Sequence, residues 1–348
     1  MSRFLHGLLV GCDELIQRRD HQTELPLEAS LANDASLANE ASLANQASLA
    51  HHVAKASQRG WPEGRANTNL NHRAERQNRS QTSITFCSTY LIPGRELFML
   101  KTILITGASG RIGSALVNYT NTLEQKYDLR LADLQISNQQ GIEIDVTDLS
   151  SCREACQGID TVIHLAGIAC PDSTFEETLH TNIVGTYNIF EAAFQTKVRR
   201  VVYASSAQVV EGYPLDTQVN TDMPVRPKNI YGVSKAYGEA VAAYYAYQKN
   251  IEAIAVRIGA FYDPDAWTHL DSRDLSAWAN PEDLCSLLIN CIEADLTAEP
   301  FVIAHGISNN RFKRLDLSDT KKLLGYAPKA DSFSHWNVPF HNDSQPKS

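Results

Sequence analysis

The sequence predicts an α/β protein: a doubly wound parallel sheet with a small C-terminal cap, preceded by a low-complexity N-terminal tail. Three observations lead there. From residue 101 onward, short apolar runs alternate with longer segments of helical spacing, the pattern of a parallel sheet covered on both faces. A glycine-rich turn joins the first such run to the first helix. Before residue 99 the chain is instead a six-residue repeat followed by a polar stretch poor in large apolar groups.

In the tail, Ala29-Ser30-Leu31-Ala32-Asn33-Asp34 recurs at 35–40, at 41–46 and, imperfectly, at 47–52. On a helix each six-residue step turns the leucine by about 600°, so Leu31, Leu37, Leu43 and Leu49 spread around the axis and form no apolar stripe. Residues 53–85, rich in Arg, Asn, Gln and Ser, have little to set against the entropy of ordering, so residues 1–98 are expected to be disordered.

Candidate strands then follow at Lys101–Thr106 and at residues 128–133, 141–145, 161–166, 200–205 and 251–258. Candidate helices at 111–122, 149–157, 174–195 and 231–248 lie between them. Asn280-Pro281-Glu282-Asp283 supplies the cap, first-turn proline and acids of a further helix, and Ser318, Asp319 and Gly325 bracket a short last one. Beyond Ile258 only a helical and irregular cap is expected. The domain reading is thus a tail to residue 98, a dinucleotide-binding domain over 99–260, a cap with C-terminal elements over 261–335, and a short tail over 336–348.

Composition narrows the partners. The chain has 348 residues, 43% of them hydrophobic and 20% charged, with a formal net charge of −9. Residues 1–98 hold ten Lys/Arg and ten Asp/Glu, so the acidic excess lies entirely in the folded part. With no basic block, nucleic acid and anionic membrane are not expected as main partners. Seven cysteines, an odd number without a Cys-x-x-Cys pair, argue against a disulfide framework or structural zinc and fit a reducing cytoplasm. No apolar stretch approaches the roughly 18 residues of a membrane span. The short run at 4–12 is broken by His6 and followed by Asp13 and Glu14, which does not read as a secretory signal. Cys152 and Cys156 read as core thiols and His164 as a core histidine, and no metal site is expected.

Two constellations carry chemistry. Gly107-Ala108-Ser109-Gly110-Arg111-Ile112-Gly113 follows the first strand and opens a helix. Glycines there allow a tight turn, close backbone approach to a pyrophosphate and close strand–helix packing, with the helix N-terminus favouring negative charge. Asp133 ends the second strand, 20 residues beyond Gly113, where a carboxylate would bind ribose hydroxyls and repel a 2′-phosphate, so NAD is expected over NADP. The second is Tyr231-Gly232-Val233-Ser234-Lys235 near the start of a helix. Tyr231 and Lys235 share one helical face, and a neighbouring ammonium lowers a phenol's pKa toward that of a general base. The preceding strand ends in Ala204-Ser205-Ser206, which aims Ser206, or alternatively Ser205, into the crevice at the strands' C-terminal ends.

Together with Asp145-Val146, His164-Leu165-Ala166-Gly167 and Asn182, these motifs resemble the extended short-chain dehydrogenase/reductase superfamily, the NAD-dependent epimerase/dehydratase group with a Rossmann-type fold. The resemblance spans residues 101–333 and is most marked to uronate dehydrogenases and archaeal sugar-6-phosphate dehydrogenases. It implies NAD as cofactor, a sugar-like small-molecule substrate, and Tyr231 as the base that takes a hydroxyl proton while hydride leaves the same carbon. Ser206 would hold the reacting oxygen, Lys235 keep Tyr231 acidic, and Asn182 orient a helix or water relay. Asp145 and Val146 would line the adenine pocket, and Leu165, Ala166, Gly167 and Ile258 would lie along the cofactor.

The substrate residues implied are Ser206, Ala207, Gln208 and Arg273. Arg273 matches the arginine that clamps the substrate carboxylate in uronate dehydrogenases, whereas Ala207-Gln208 stands where they have Asn-His, and Ala260 where they have a serine. An anionic sugar other than the usual hexuronates is therefore expected. The alternatives are an epimerase or dehydratase with tightly held NAD, and a non-catalytic NAD-binding regulator. The complete Ser206, Tyr231 and Lys235 set favours catalysis, and a homo-oligomer is compatible with all three.

Overall fold

Residues 100–124, 127–136, 141–263 and 271–338 are described by a computed structural model. The expectations for residues 1–98 and 339–348 lie outside them. Nine strands occur among the described residues: β1 (Lys101–Thr106), β2 (Tyr127–Asp133), β3 (Ile142–Glu143), β4 (Thr161–His164), β5 (Arg200–Ser206), β6 (Glu252–Ile258), β7 (Ala260–Phe261), β8 (Trp278–Ala279) and β9 (Phe301–Gly306). Seven of them form one sheet in the order β3-β2-β1-β4-β5-β6-β9, while β7 and β8 make a separate ribbon. Every pairing is parallel.

The helices are α1 (Arg111–Asn121), α2 (Leu149–Ala155), α3 (Phe175–Thr178), α4 (Thr186–Thr196), α5 (Ile230–Lys249), α6 (Ser272–Ala277), α7 (Pro281–Glu293), α8 (Ser318–Leu324) and α9 (Ser332–His335). The side-chain period of two in the strands divides the interior into two cores. Ile103, Ile105, Val202 and Val256 face one core, closed by Leu116 of α1 and Leu284 and Leu288 of α7. Leu104, Val162, Val201 and Ala255 face the other, closed by Cys152 of α2, Ile189 and Phe190 of α4 and Tyr245 of α5. Burying each large aliphatic side chain contributes about 1.5–3 kcal/mol, so the alternation itself fixes which helix covers which face.

Several elements differ from expectation. The strand expected at 141–145 reduces to Ile142–Glu143, an edge with both side chains exposed. The strand expected at 161–166 ends at His164, and the following residues turn over the glycine loop. The single helix expected at 174–195 is α3, a π-helical segment over Leu179–Gly185, then α4. Helical periodicity reads straight through such a bulge. The segment after Ile258 is not only helical and irregular: β9 joins the main sheet beside β6, Ala253 opposite Phe301 through Ile258 opposite Gly306. Its run Phe301-Val302-Ile303-Ala304 is short enough to read as cap, but Val302 and Ala304 are buried against the sheet core.

The strand order sets the site. From β3 at one edge the chain returns to β4 on the far side of β1, and this reversal opens a crevice at the C-terminal ends of β1 and β4.

Candidate active site

The turn between β1 and α1 is built on contact too close for side chains. Gly107 has φ 74°, which disfavours a residue with a Cβ. A Cβ there would also lie 2.6 Å from the Ala166 backbone nitrogen, and one on Gly113 would collide with the Gly107 carbonyl. No side chain caps α1 at Gly110, so the N–H groups of its first turn face outward as an anion cradle. Asp133, at the end of β2, accepts the Ser109 N–H at 2.8 Å and the Leu134 N–H at 2.7 Å, one on each carboxylate oxygen. The loop and the acid are thereby tied together. Asp145 closes a local turn, accepting the Thr147 N–H at 2.8 Å and its hydroxyl at 2.7 Å, and Val146 is buried beside Gly185.

At the C-terminal ends of β4, β5 and β6 lies a cavity of about 370 Å³. Arg111, Ile112, Leu165, Gly167, Ser206, Gln208, Tyr231, Lys235, Ile258 and Arg273 line it. The sheet register explains the convergence, because Ser206 ends β5 directly opposite Ile258 of β6. Ala207, expected to face the substrate, does not: it is 1% exposed and belongs to the hydrophobic core, since the short 3-10 helix Ala207–Val210 turns it inward and Gln208 toward the cavity. Tyr262 and Asp274 also line the cavity, although neither stood out in the sequence. The Asp271 cap and first-turn acid of α6 mark Asp274 as part of a helix start and not as a cavity residue.

Helix α5 is started by Asn229, whose side-chain oxygen accepts the Gly232 N–H at 2.7 Å. Gly232 admits the Gln208 carbonyl, which any Cβ would overlap, and this brings Tyr231 against the end of β5. Ser205 and Ser206 then separate by partner. The Ser205 hydroxyl donates to Glu239 Oε1 at 2.6 Å, and Glu239 is held by Arg257 through two contacts of 2.9 Å. Ser206 Oγ accepts the Gln208 N–H at 3.2 Å, which leaves its own proton free to turn toward the Tyr231 oxygen.

Burial raises the Tyr231 phenol above its ordinary range, while the Ser206 hydrogen bond and the positive charge of Arg111 pull it down. Lys235 lies one turn further along α5 and lines the same cavity. Its ammonium donates to the Ala204 carbonyl at 2.8 Å, stands 5.8 Å from the Tyr231 ring centre, and is pushed down to about 8 by burial. The charge of Arg111 lowers the Tyr231 phenol, and Lys235 keeps its ammonium beside the same ring while bonded to the carbonyl.

Asn182 sits in the π-helical segment. Its amide donates to the Ile168 carbonyl and to Ser234 Oγ, both at 3.0 Å, and its oxygen accepts the Ile168 N–H at 2.8 Å. It thus stitches the loop after β4 to α5 at the turn before Lys235.

Arg273, in α6, reaches the cavity already paired. Its Nε and Nη2 donate to the two oxygens of Glu211 at 3.1 and 3.0 Å, and Nη1 donates to Asp274 Oδ1 at 2.9 Å. Burial alone would lower the guanidinium's pKa, but the two carboxylates hold it raised. Burial pushes the Asp274 carboxyl up against the opposing pull of Arg273.

Comparison with known proteins finds similar sequences and folds. The family model described as NAD dependent epimerase/dehydratase family matches residues 103–281. An NAD-dependent glucose-6-phosphate dehydrogenase of Haloferax volcanii is 33% identical over 256 residues, 66% of this chain and 94% of that protein. A uronate dehydrogenase of Pseudomonas syringae is 32% identical over 238 residues, 66% of this chain and 82% of that protein. Among solved structures, a mutant of uronate dehydrogenase from Agrobacterium tumefaciens complexed with NAD superposes with a TM-score of 0.61 at 30% identity, over 72% of this chain and 92% of that one.

Proposed function

The chain belongs to the NAD dependent epimerase/dehydratase family, and from that premise we propose that it is an NAD-dependent dehydrogenase that oxidises a hydroxyl-bearing carbon of a sugar or sugar derivative. The observation that carries this reading is the convergence of Ser206, Tyr231 and Lys235 on one cavity at the sheet edge that also holds the glycine turn. An enzyme with this family's relatives among glucose-6-phosphate, uronate and L-arabinose dehydrogenases has net oxidation as its default chemistry.

The residues present fit NAD. The turn at Gly107 and Gly113 has no room for a Cβ, the N–H groups of α1 suit a pyrophosphate, and Asp133 offers acceptors to ribose hydroxyls but repels a 2′-phosphate. When bound, NAD supplies the hydride acceptor. In this proposal the Ser206 hydroxyl turns from Tyr231 to hydrogen-bond the substrate oxygen and fixes that oxygen beside Tyr231. The Tyr231 oxygen removes the hydroxyl proton, helped by the positive charge of Arg111, which favours its ionised form. Lys235 holds the end of β5 through the Ala204 carbonyl and presents a cation to the cofactor side. Asn182 positions α5 and the loop at Ile168.

No helix among the described residues is long and apolar enough to cross a membrane. A cytoplasmic location belongs to this proposal, supported by the buried free thiols of Cys152, Cys156, Cys285 and Cys291. The test is a panel of aldoses, uronic acids and sugar phosphates with NAD, read by NADH formation. Net NADH supports the dehydrogenase; isomerised sugar without net NADH identifies an epimerase instead.

A further inference from the structure

The expectation of an anionic substrate rests on Arg273 as a clamp, yet both faces of that guanidinium already meet carboxylates of the protein. The Glu211 pair is bidentate, the geometry with which arginine binds a carboxylate ligand. It is also sheltered, with side-chain exposures of 18% for Arg273 and 10% for Glu211. Asp274 takes the third direction and lines the cavity itself. With both acids ionised the three groups carry a net negative charge, so a substrate carboxylate or phosphate arriving here would meet a guanidinium already neutralised by Glu211 and would approach the Asp274 carboxylate. The other cations lining the cavity are elsewhere in the site: Arg111 opens α1 beside the glycine turn and Lys235 is bound to the Ala204 carbonyl.

Resting on the dehydrogenase reading, we propose that this cavity selects a neutral sugar, with Glu211 occupying Arg273 in the way a substrate's own acid group would. Asp274 uses Oδ1 on Arg273, which leaves Oδ2 as an acceptor for a sugar hydroxyl. Ala260, also lining the cavity, offers nothing to an acid group. Glu211 is a positioning residue, because it touches Arg273 and does not line the cavity. It comes from the segment just after the 3-10 helix, 62 residues from its partner, and no local pattern marks it.

Wild type, Glu211→Gln and Asp274→Asn, each with NAD, are compared on D-glucose against D-glucuronate and D-galactose against D-galacturonate. NADH formation gives kcat/KM, and calorimetric titration in the presence of NADH, which cannot accept hydride, gives Kd. Wild type is expected to favour the neutral member by roughly tenfold or more, a difference of about 1.4 kcal/mol. Glu211→Gln, which frees the guanidinium, moves the ratio by about tenfold toward the uronate, and Asp274→Asn moves it the same way. A merely structural Glu211 would depress both sugars together and leave the ratio alone. A wild-type preference for uronates, a ratio unmoved in both variants, or binding of neither class overturns the inference. Tighter binding of the neutral sugars without any turnover supports it while rejecting the dehydrogenase reading, so the two fail separately.

Discussion

Tyr231 differs from the other buried tyrosines in what faces its oxygen. Burial dominates Tyr203 and raises its phenol, whereas Tyr231 has a serine hydroxyl and an arginine charge working against its burial. Tyr231→Phe is therefore expected to cut kcat by about 10²-fold or more, the size of a lost general base, and to leave NAD binding intact by calorimetry. A wild-type rate in that variant would remove Tyr231 from the proton path. Asp133 makes a separate prediction: NAD binds more tightly than NADP, and Asp133→Ser weakens NAD by about tenfold, the scale of a hydrogen bond to a charged group. Titration with both cofactors checks it, and tighter NADP binding in the wild type contradicts it. These residues were legible because each motif is short and local, a turn or an i, i+4 pair. Glu211 and Asp274 were not, since their role depends on a contact made only after the chain folds.

Among elements, β4 ends in a histidine and β9 carries one just before its last residue, both packed inside the sheet. His164 is 1% exposed with its Nδ1 2.7 Å from Thr106 Oγ1, and His305 is 0% exposed with its Nδ1 2.7 Å from the Asp316 carbonyl. Burial lowers His164 to about 3 and His305 to about 4. Both values lie below the unfolded histidine range, so the unfolded chain binds protons first, and stability present at neutral pH is lost as pH falls through about 6.5. Each histidine contributes up to about 1.4 kcal/mol per pH unit in that window. The urea midpoint is expected to drop between pH 7 and pH 5, above the usual carboxylate range, and His164→Asn flattens the drop. An unchanged midpoint over that interval would mean these histidines are charged in the fold. The strands carrying them were unequally legible. β4 follows the alternation that runs through the whole sheet, whereas β9 stands alone between helices and reads as cap until β6 is seen to need a neighbour. The π-helical segment at Asn182 has no sequence signal beyond the helix it interrupts.

For the whole molecule, all seven strands of the main sheet fall between residues 101 and 306, and the hexapeptide repeat has no apolar stripe to pack with. A chain starting at Met99 is accordingly expected to unfold cooperatively at the same urea midpoint as the full chain and to keep its kcat/KM. Loss of either would give residues 1–98 a role that their composition does not suggest. The fold class followed from alternation and one glycine turn, because a parallel sheet buried on both faces leaves few arrangements for such a pattern. Substrate choice did not follow, because it depends on which charges neutralise each other at the cavity. The central claim, hydride transfer from a sugar carbon to NAD, is tested most directly with D-galactose deuterated at its carbon-bound positions and unlabelled NAD. Mass spectrometry of the nicotinamide should find one deuterium per reduced cofactor, accumulating with oxidised sugar and suppressed in Tyr231→Phe. Reduced cofactor without deuterium, or deuterium returned to the sugar with no net reduction, would contradict the account.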